Sequence, residues 1–151
     1  MAGLGTDPRE VFLVCKSAQT DLTNDNTLND DAHLTYPLYA NEVVHFTLES
    51  YYVAGAGGIR ISMNGPAGYV SLNFNLSLDV SGAKKTNAAV AVAYDTVLTS
   101  NVATGGLIRI TGFVQNGATA GNLVFRWAQM NSNGATTSIF KGSRLMVYRC
   151  F

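Results

Sequence analysis

Gly121-Asn122-Leu123-Val124-Phe125-Arg126-Trp127-Ala128-Gln129 follows a glycine-rich turn and alternates without a break. Leu123, Phe125 and Trp127 fall on one side, Val124, Arg126 and Ala128 on the other. That is the period-two pattern of a β-strand with one face in a core. Trp127 is the single tryptophan, and burying such a ring removes roughly 150–250 Å² of surface from water. Its indole N–H needs an acceptor, so the residue is expected deep in the core yet near a strand end. Residues 107–114 carry the same alternation. The two stretches read as a hairpin joined by residues 115–120, and this hairpin is taken as the centre of the fold.

The rest of the chain continues in the same grammar. Residues 9–16 form a first strand, apolar on both faces. Residues 17–31 read as a polar loop rich in Asp, Asn and Thr. Residues 33–38 make a short extended piece that Pro37, lacking an N–H, places at an edge or a strand end. A turn at 39–42 leads into the longest strand, 43–53. There Val44, Phe46, Leu48, Ser50 and Tyr52 share one face, while Val43, His45, Thr47, Glu49, Tyr51 and Val53 share the other.

A glycine-rich turn at 54–58 precedes a strand at 59–63, and Asn64-Gly65-Pro66-Ala67-Gly68 is strong turn chemistry. Residues 69–76 alternate with Val70, Leu72, Phe74 and Leu76 inward. Residues 77–87 read as a surface loop, 88–98 as a strand weakened by its alanines, and 99–106 as another loop. A last polar turn at 131–137 leaves 138–151 for one or two closing strands.

No stretch places apolar residues at the i, i+3, i+4, i+7 spacing of a helix. The pattern of about eight or nine short strands between Gly/Asn/Pro turns predicts an all-β chain. The expected architecture is an antiparallel, jelly-roll-like β-sandwich of about eight strands, with residues 1–8 as a short N-terminal arm and 9–151 as one domain. In a jelly roll the first and last strands commonly lie side by side, which would make Cys15 and Cys150 neighbours across the sheet. Their spacing fits no metal motif. Each is otherwise read as a small buried hydrophobe.

Composition narrows the function classes. The chain has 151 residues, 47% of them hydrophobic and only 13% charged, with ten basic residues against ten acidic ones. No Lys/Arg run marks a nucleic-acid surface. No segment reaches the roughly 18 consecutive apolar residues of a membrane span. Residues 1–10 lack the charged and apolar regions of a signal peptide, so synthesis in the cytosol is expected.

So little charge over so much β-propensity points either to a surface that is polar through Asn, Thr, Ser and Gly or to one partly covered by neighbours, and the second reading is preferred. Val43, Tyr51 and Val53 oppose the face carrying Phe46 and Leu48, and Leu107 and Phe113 oppose Ile108, Ile110 and Val114. Strands that are apolar on both sides have something packed on each. In a short chain with hardly any helix, the covering layer is expected to be another copy. A closed homo-oligomer is predicted, a homotrimer first, with Val43, Tyr51, Val53, Leu107 and Phe113 at its interface.

Signals for chemistry are few. His33 and His45 have no metal-ligand spacing, there is no Gly-x-Ser-x-Gly elbow, and the glycine-rich turns precede no helix that could cradle a phosphate. Asp21, Asn24, Asp25, Asn26, Asn29, Asp30 and Asp31 offer the hard oxygens calcium takes, without the glycine and twelfth-position glutamate of an EF-hand. Asx-turns and strand caps account for the same residues. No catalytic residue, cofactor or metal is assigned, and no enzyme is expected.

Five segments then resemble a recurring pattern in small β-rich structural proteins of tailed bacteriophages. They are Thr27-Leu28-Asn29-Asp30-Asp31-Ala32-His33-Leu34, Ala40-Asn41-Glu42-Val43, Asn64-Gly65-Pro66-Ala67-Gly68, Gly121-Asn122-Leu123 with Arg126-Trp127-Ala128-Gln129, and Lys141-Gly142-Ser143-Arg144-Leu145. The likeness runs from about Lys16 to Arg149.

It implies a virion component with a jelly-roll-like fold, often trimeric, serving as capsid decoration, as a neck or tail part, or at a fibre tip. Relatives often carry long attachment segments, and the short stretch before Arg9 points instead to a compact trimer seated on a capsid lattice. On that reading the partners are copies of the chain and the major capsid protein. Asp7, Arg9, Asp25 and Asp30 are the candidate shell contacts. The alternative is a receptor- or glycan-binding tip with exposed loop aromatics, for which Tyr39 and Tyr69 are the candidates.

Overall fold

The alternating stretches become strands. The computed structural model describes residues 10–80, 83–89, 98–100 and 104–150, and among them there is no helix. In chain order the strands are β1 (Val11–Cys15), β2 (Thr20–Leu22), β3 (Asn29–Leu38), β4 (Val43–Ala54), β5 (Ile59–Asn64) and β6 (Ser71–Val80). They continue with β7 (Ala83–Ala89), β8 (Leu98–Ser100), β9 (Thr104–Gln115), β10 (Gly121–Ala128), β11 (Thr137–Ile139) and β12 (Arg144–Cys150).

They form two antiparallel sheets. One has eight strands in the order β1-β12-β4-β9-β6-β7, with β11 on β4 beyond β12 and β2 on β11; the other has four, β3-β10-β5-β8. This is the expected all-β sandwich. The first and last strands lie side by side, Val11 opposite Tyr148 and Cys15 opposite Arg144.

The two sheets bury one shared core. Val44, Phe46, Leu48, Ser50 and Tyr52 of β4 are all buried, as the alternation requires, and they face Leu34, Tyr36, Ile59, Ile61, Leu123, Phe125 and Trp127. Tyr52 donates its hydroxyl to the Asp79 carbonyl at 2.7 Å; burial, with the nearby Asp79 carboxylate, pushes its pKa up to about 12. Pro37 sits on β3, an edge strand of the four-stranded sheet, where a missing N–H costs no ladder bond.

Several expectations need correction. Residues 107–114 and 121–128 do not pair: β9 lies between β4 and β6, whereas β10 lies between β3 and β5 in the opposite sheet. The connector between them is an arch over the end of the sandwich. The Asn116 side chain donates to the carbonyls of Tyr39 and Thr119 and accepts from the Gly117 N–H. A Cβ on Gly117 would lie 2.1 Å from the Gly68 carbonyl oxygen, so only glycine lets the arch close.

Residues 77–87 are not a loop, because β6 runs on to Val80 and pairs with β7. The polar stretch 17–31 contains β2 and the start of β3, and 99–106 contains part of β8 and the start of β9. The strand expected at 88–98 falls largely on residues outside those described. Val70 precedes β6 and is 59% exposed rather than inward.

Cys15 and Cys150 are free and exposed, not buried neighbours. Cys15 faces Arg144, whereas Cys150 faces Val43 at the other end of β12. The six positions from Arg144 to Cys150 put the two thiols about 20 Å apart.

Candidate functional site

The pairing of β1, β12, β4, β9 and β6 sets outward side chains in rows across the eight-stranded sheet. One row reads Val11, Tyr148, His45, Phe113 and Asn73; the next reads Leu13, Met146, Thr47, Thr111 and Asn75. The following row is Cys15, Arg144, Glu49, Arg109 and Ser77, and beyond it Tyr51 stands opposite Leu107. The His45 and Phe113 rings meet at 5.9 Å between centroids.

All five residues expected at an oligomer interface lie on this one face. Tyr51 is 62% and Val53 45% exposed, and Val43, Leu107 and Phe113 are half-buried. Sequence reasoning missed Val11 and Leu13, which are 55% and 60% exposed, and Tyr148 beside them. Reading residues 9–16 as apolar on both faces hid which side was outward. The parity of Phe12 and Val14, packed on the core, resolves it.

An ionic bar crosses this face. Glu49 accepts from Arg109 Nη2 at 2.8 Å and from Arg144 Nε at 2.9 Å. Both guanidiniums remain about half exposed. Arg144, and after it Arg109, hold the Glu49 carboxyl below its ordinary range. A carboxylate with a depressed folded-state pKa contributes stability that is fully present above the unfolded value of 4.5 and fades as pH falls through the folded one. Thermal unfolding followed from neutral pH downward should therefore lose stability below that value, and Glu49→Gln should reduce the loss. Superimposable acid limbs for the two chains would show that the bar contributes nothing.

The acidic loop spends its oxygens internally. Asp25 accepts from the Thr27 N–H at 2.9 Å and Asn29 Nδ2 at 2.8 Å, an Asx-type arrangement, and these bonds lower its pKa. Asp30 pairs with Arg126 at 2.8 Å. The Asp21 carboxyl is lowered by bonds from Gln19 and Ser138. Of the candidate shell contacts, Asp25 and Asp30 thus serve first to shape the loop; Asp7 and Arg9 lie outside the described residues.

Asp31 is the surprise of this region. Lys16 continues the inward series of Phe12 and Val14, and its Nζ meets Asp31 Oδ2 at 2.6 Å with neither side chain exposed. The same carboxylate accepts from Trp127 Nε1 at 3.3 Å and from the backbone N–H groups of His33 and Leu34. This is the acceptor that Trp127 was expected to need. The buried pair was not foreseen, although a lone lysine closing an inward apolar series was the available signal.

No protein-family model matches the chain, and no curated protein matches it. Among solved structures it is similar to those of two strains of infectious bursal disease virus. The Gt strain gives 12% identity and a TM-score of 0.28 over 99% of this chain and 42% of that one. The Gx strain gives 14% and 0.28 over 99% and 45%. The chain spans less than half the length of either, and a likeness at these TM-scores decides neither fold nor function.

Proposed function

We propose that the chain is a structural protein of a tailed-bacteriophage virion, a capsid decoration protein that trimerises and stabilises the head shell. The observation that carries this reading is the outer face of the eight-stranded sheet, where Val11, Leu13 and Tyr148 stand exposed on one side of the ionic bar and Tyr51 and Val53 on the other. Such a face suits a layer of protein laid on it. The resemblance of the five segments to phage structural proteins supplies the setting. The chemistry is that of an inert plug: the acids of the 17–31 loop are engaged in shaping it, and the interior pair of Lys16 and Asp31 is sealed. A protein of this kind stabilises a shell by binding its mature form more tightly than its disrupted one. The partners are then copies of the chain and the major capsid protein, with no nucleic acid and no membrane.

A second reading is favoured by one observation. Tyr39 is 65% exposed and borders a hollow of about 470 Å³ with Asn41, Glu42, Val43, Arg149 and Cys150. An aromatic rim of that kind suits a receptor or glycan at a fibre tip. Tyr69, the other aromatic considered for this role, packs against the core instead.

Imaging of purified particles, with copy number taken relative to the major capsid protein, separates the two. Decoration predicts many copies on the head lattice and heads that open at lower temperature without the chain. A few copies at the tail tip, with head stability unchanged, would overturn it.

A further inference from the structure

We propose that the free edge of β1 pairs with β1 of a second copy about a twofold axis, joining the two eight-stranded sheets into one. This deepens the assembly reading above and rests on it. Among the described residues β1 pairs only with β12. The Glu10 carbonyl accepts from the Arg149 N–H, the Lys16 N–H donates to the Ser143 carbonyl, and the Lys16 carbonyl accepts from the Gly142 N–H. Even-numbered residues therefore aim their backbone groups at β12, and Val11, Leu13 and Cys15 aim theirs away from it.

Edge strands are ordinarily blunted by charge, proline or a bulge. The β3 edge has all three, in Asp30, Pro37 and the register shift opposite residues 124–126. Val11-Phe12-Leu13-Val14-Cys15 has none of them. Its outward side chains are exposed and apolar at one end, the centre and the other end.

The strand is also its own complement, which is why the occupant is a second copy. An antiparallel pair centred on Leu13 sets Leu13 against its counterpart and Val11 against Cys15. The odd-numbered N–H and C=O groups then close about six hydrogen bonds. Phe12 falls opposite Val14, continuing the core side of both sheets. The outward row gains Leu13 and Val11 from each copy, next to Met146 and Tyr148. A twofold contact of this kind is isologous, and it joins two rings as readily as two single chains.

The test uses the full chain with Cys15→Ser and Cys150→Ser. Adding Leu13→Cys places two thiols on Cα atoms about 5.5 Å apart in the pair, within disulfide reach. Mild oxidation is expected to give a covalent dimer, whereas Val70→Cys in the same background gives none. Leu13→Pro removes an N–H that points away from β12, so folding is kept while the contact is lost. The mass in solution should halve with the circular dichroism unchanged.

No cross-link from Leu13→Cys, equal cross-linking from Val70→Cys, or an unchanged mass for Leu13→Pro would each overturn the pairing. So would a monomer whose Leu13→Pro variant loses binding to phage particles, since the edge would then take a foreign strand. Finding the chain absent from virions while Leu13→Cys still cross-links would sink the decoration reading and leave this one standing.

Discussion

Lys16→Met is expected to lower the unfolding free energy by about 3–5 kcal/mol, the cost of leaving one member of a buried ion pair without its partner. The Asp31 carboxylate would keep its bonds from Trp127, His33 and Leu34 but lose its one ion-pair partner among the described residues. Both side chains are fully buried, so water cannot replace the ammonium without opening the sandwich where β1 gives way to β2.

A domain of this size has a total stability of about 5–15 kcal/mol, so a large share of it hangs on this pair. The double variant Lys16→Met with Asp31→Asn should recover part of the loss. The charge is then gone, and the asparagine oxygen still accepts the two backbone N–H groups at the Oδ1 position. Its amide nitrogen, however, stands where Oδ2 accepted from Trp127 and leaves the indole N–H without that acceptor. Urea unfolding measures both. A loss below about 1 kcal/mol for the single variant would show that the pair is hydrated in solution.

Trp127→Ala is expected to cost about 3–5 kcal/mol through the cavity it leaves between the sheets. The ring is 2% exposed and lies one residue from the end of β10, over the buried pair. Trp127→Phe keeps most of the volume and deletes the N–H donated to Asp31. It should cost about 1–3 kcal/mol, since the carboxylate loses one of its donors. Because Trp127 and Lys16 share Asp31, their effects should be non-additive in a double-mutant cycle by about 0.5–3 kcal/mol. Strict additivity would mean that the indole bond at 3.3 Å is too long to count.

The contrast between strand grammar and strand partnership explains what was legible. Alternation announced β4, β10 and most of β6, and it placed Phe46, Leu48, Phe125 and Trp127 in the core correctly, because burial is a property of a strand's own face. It could not say which sheet a strand joins. A buried face looks the same on either side of a sandwich, so the arch at 116–120 passed for a hairpin loop. The signal that separates the two is tertiary: Asn116 satisfying the Tyr39 carbonyl, and Gly117 pressed on Gly68.

The missed end of β6 is different. Leu76, Leu78 and Val80 extend the same alternation, and the polar residues between them, Ser77 and Asp79, read as loop residues. Polar residues alternating with apolar ones belong on the outward face of a strand as readily as in a loop.

At the candidate surface, parity found Val43, Tyr51, Val53, Leu107 and Phe113. It failed on β1, where Phe12 and Leu13 are equally apolar and only Phe12 packs against the Tyr36 ring, 5.5 Å away between centroids. The exposed cysteines follow from the same failure. Cys15 shares the parity of Leu13, and Cys150 that of Tyr148.

The absolute mass of the purified full chain in solution, measured by light scattering across micromolar concentrations, bears most directly on the claim that copies clasp one another through the eight-stranded sheet. A stable multiple of 16.1 kDa is the result this account predicts. A monodisperse 16.1 kDa particle at every concentration, its Leu13, Tyr51 and Tyr148 open to water, would contradict it.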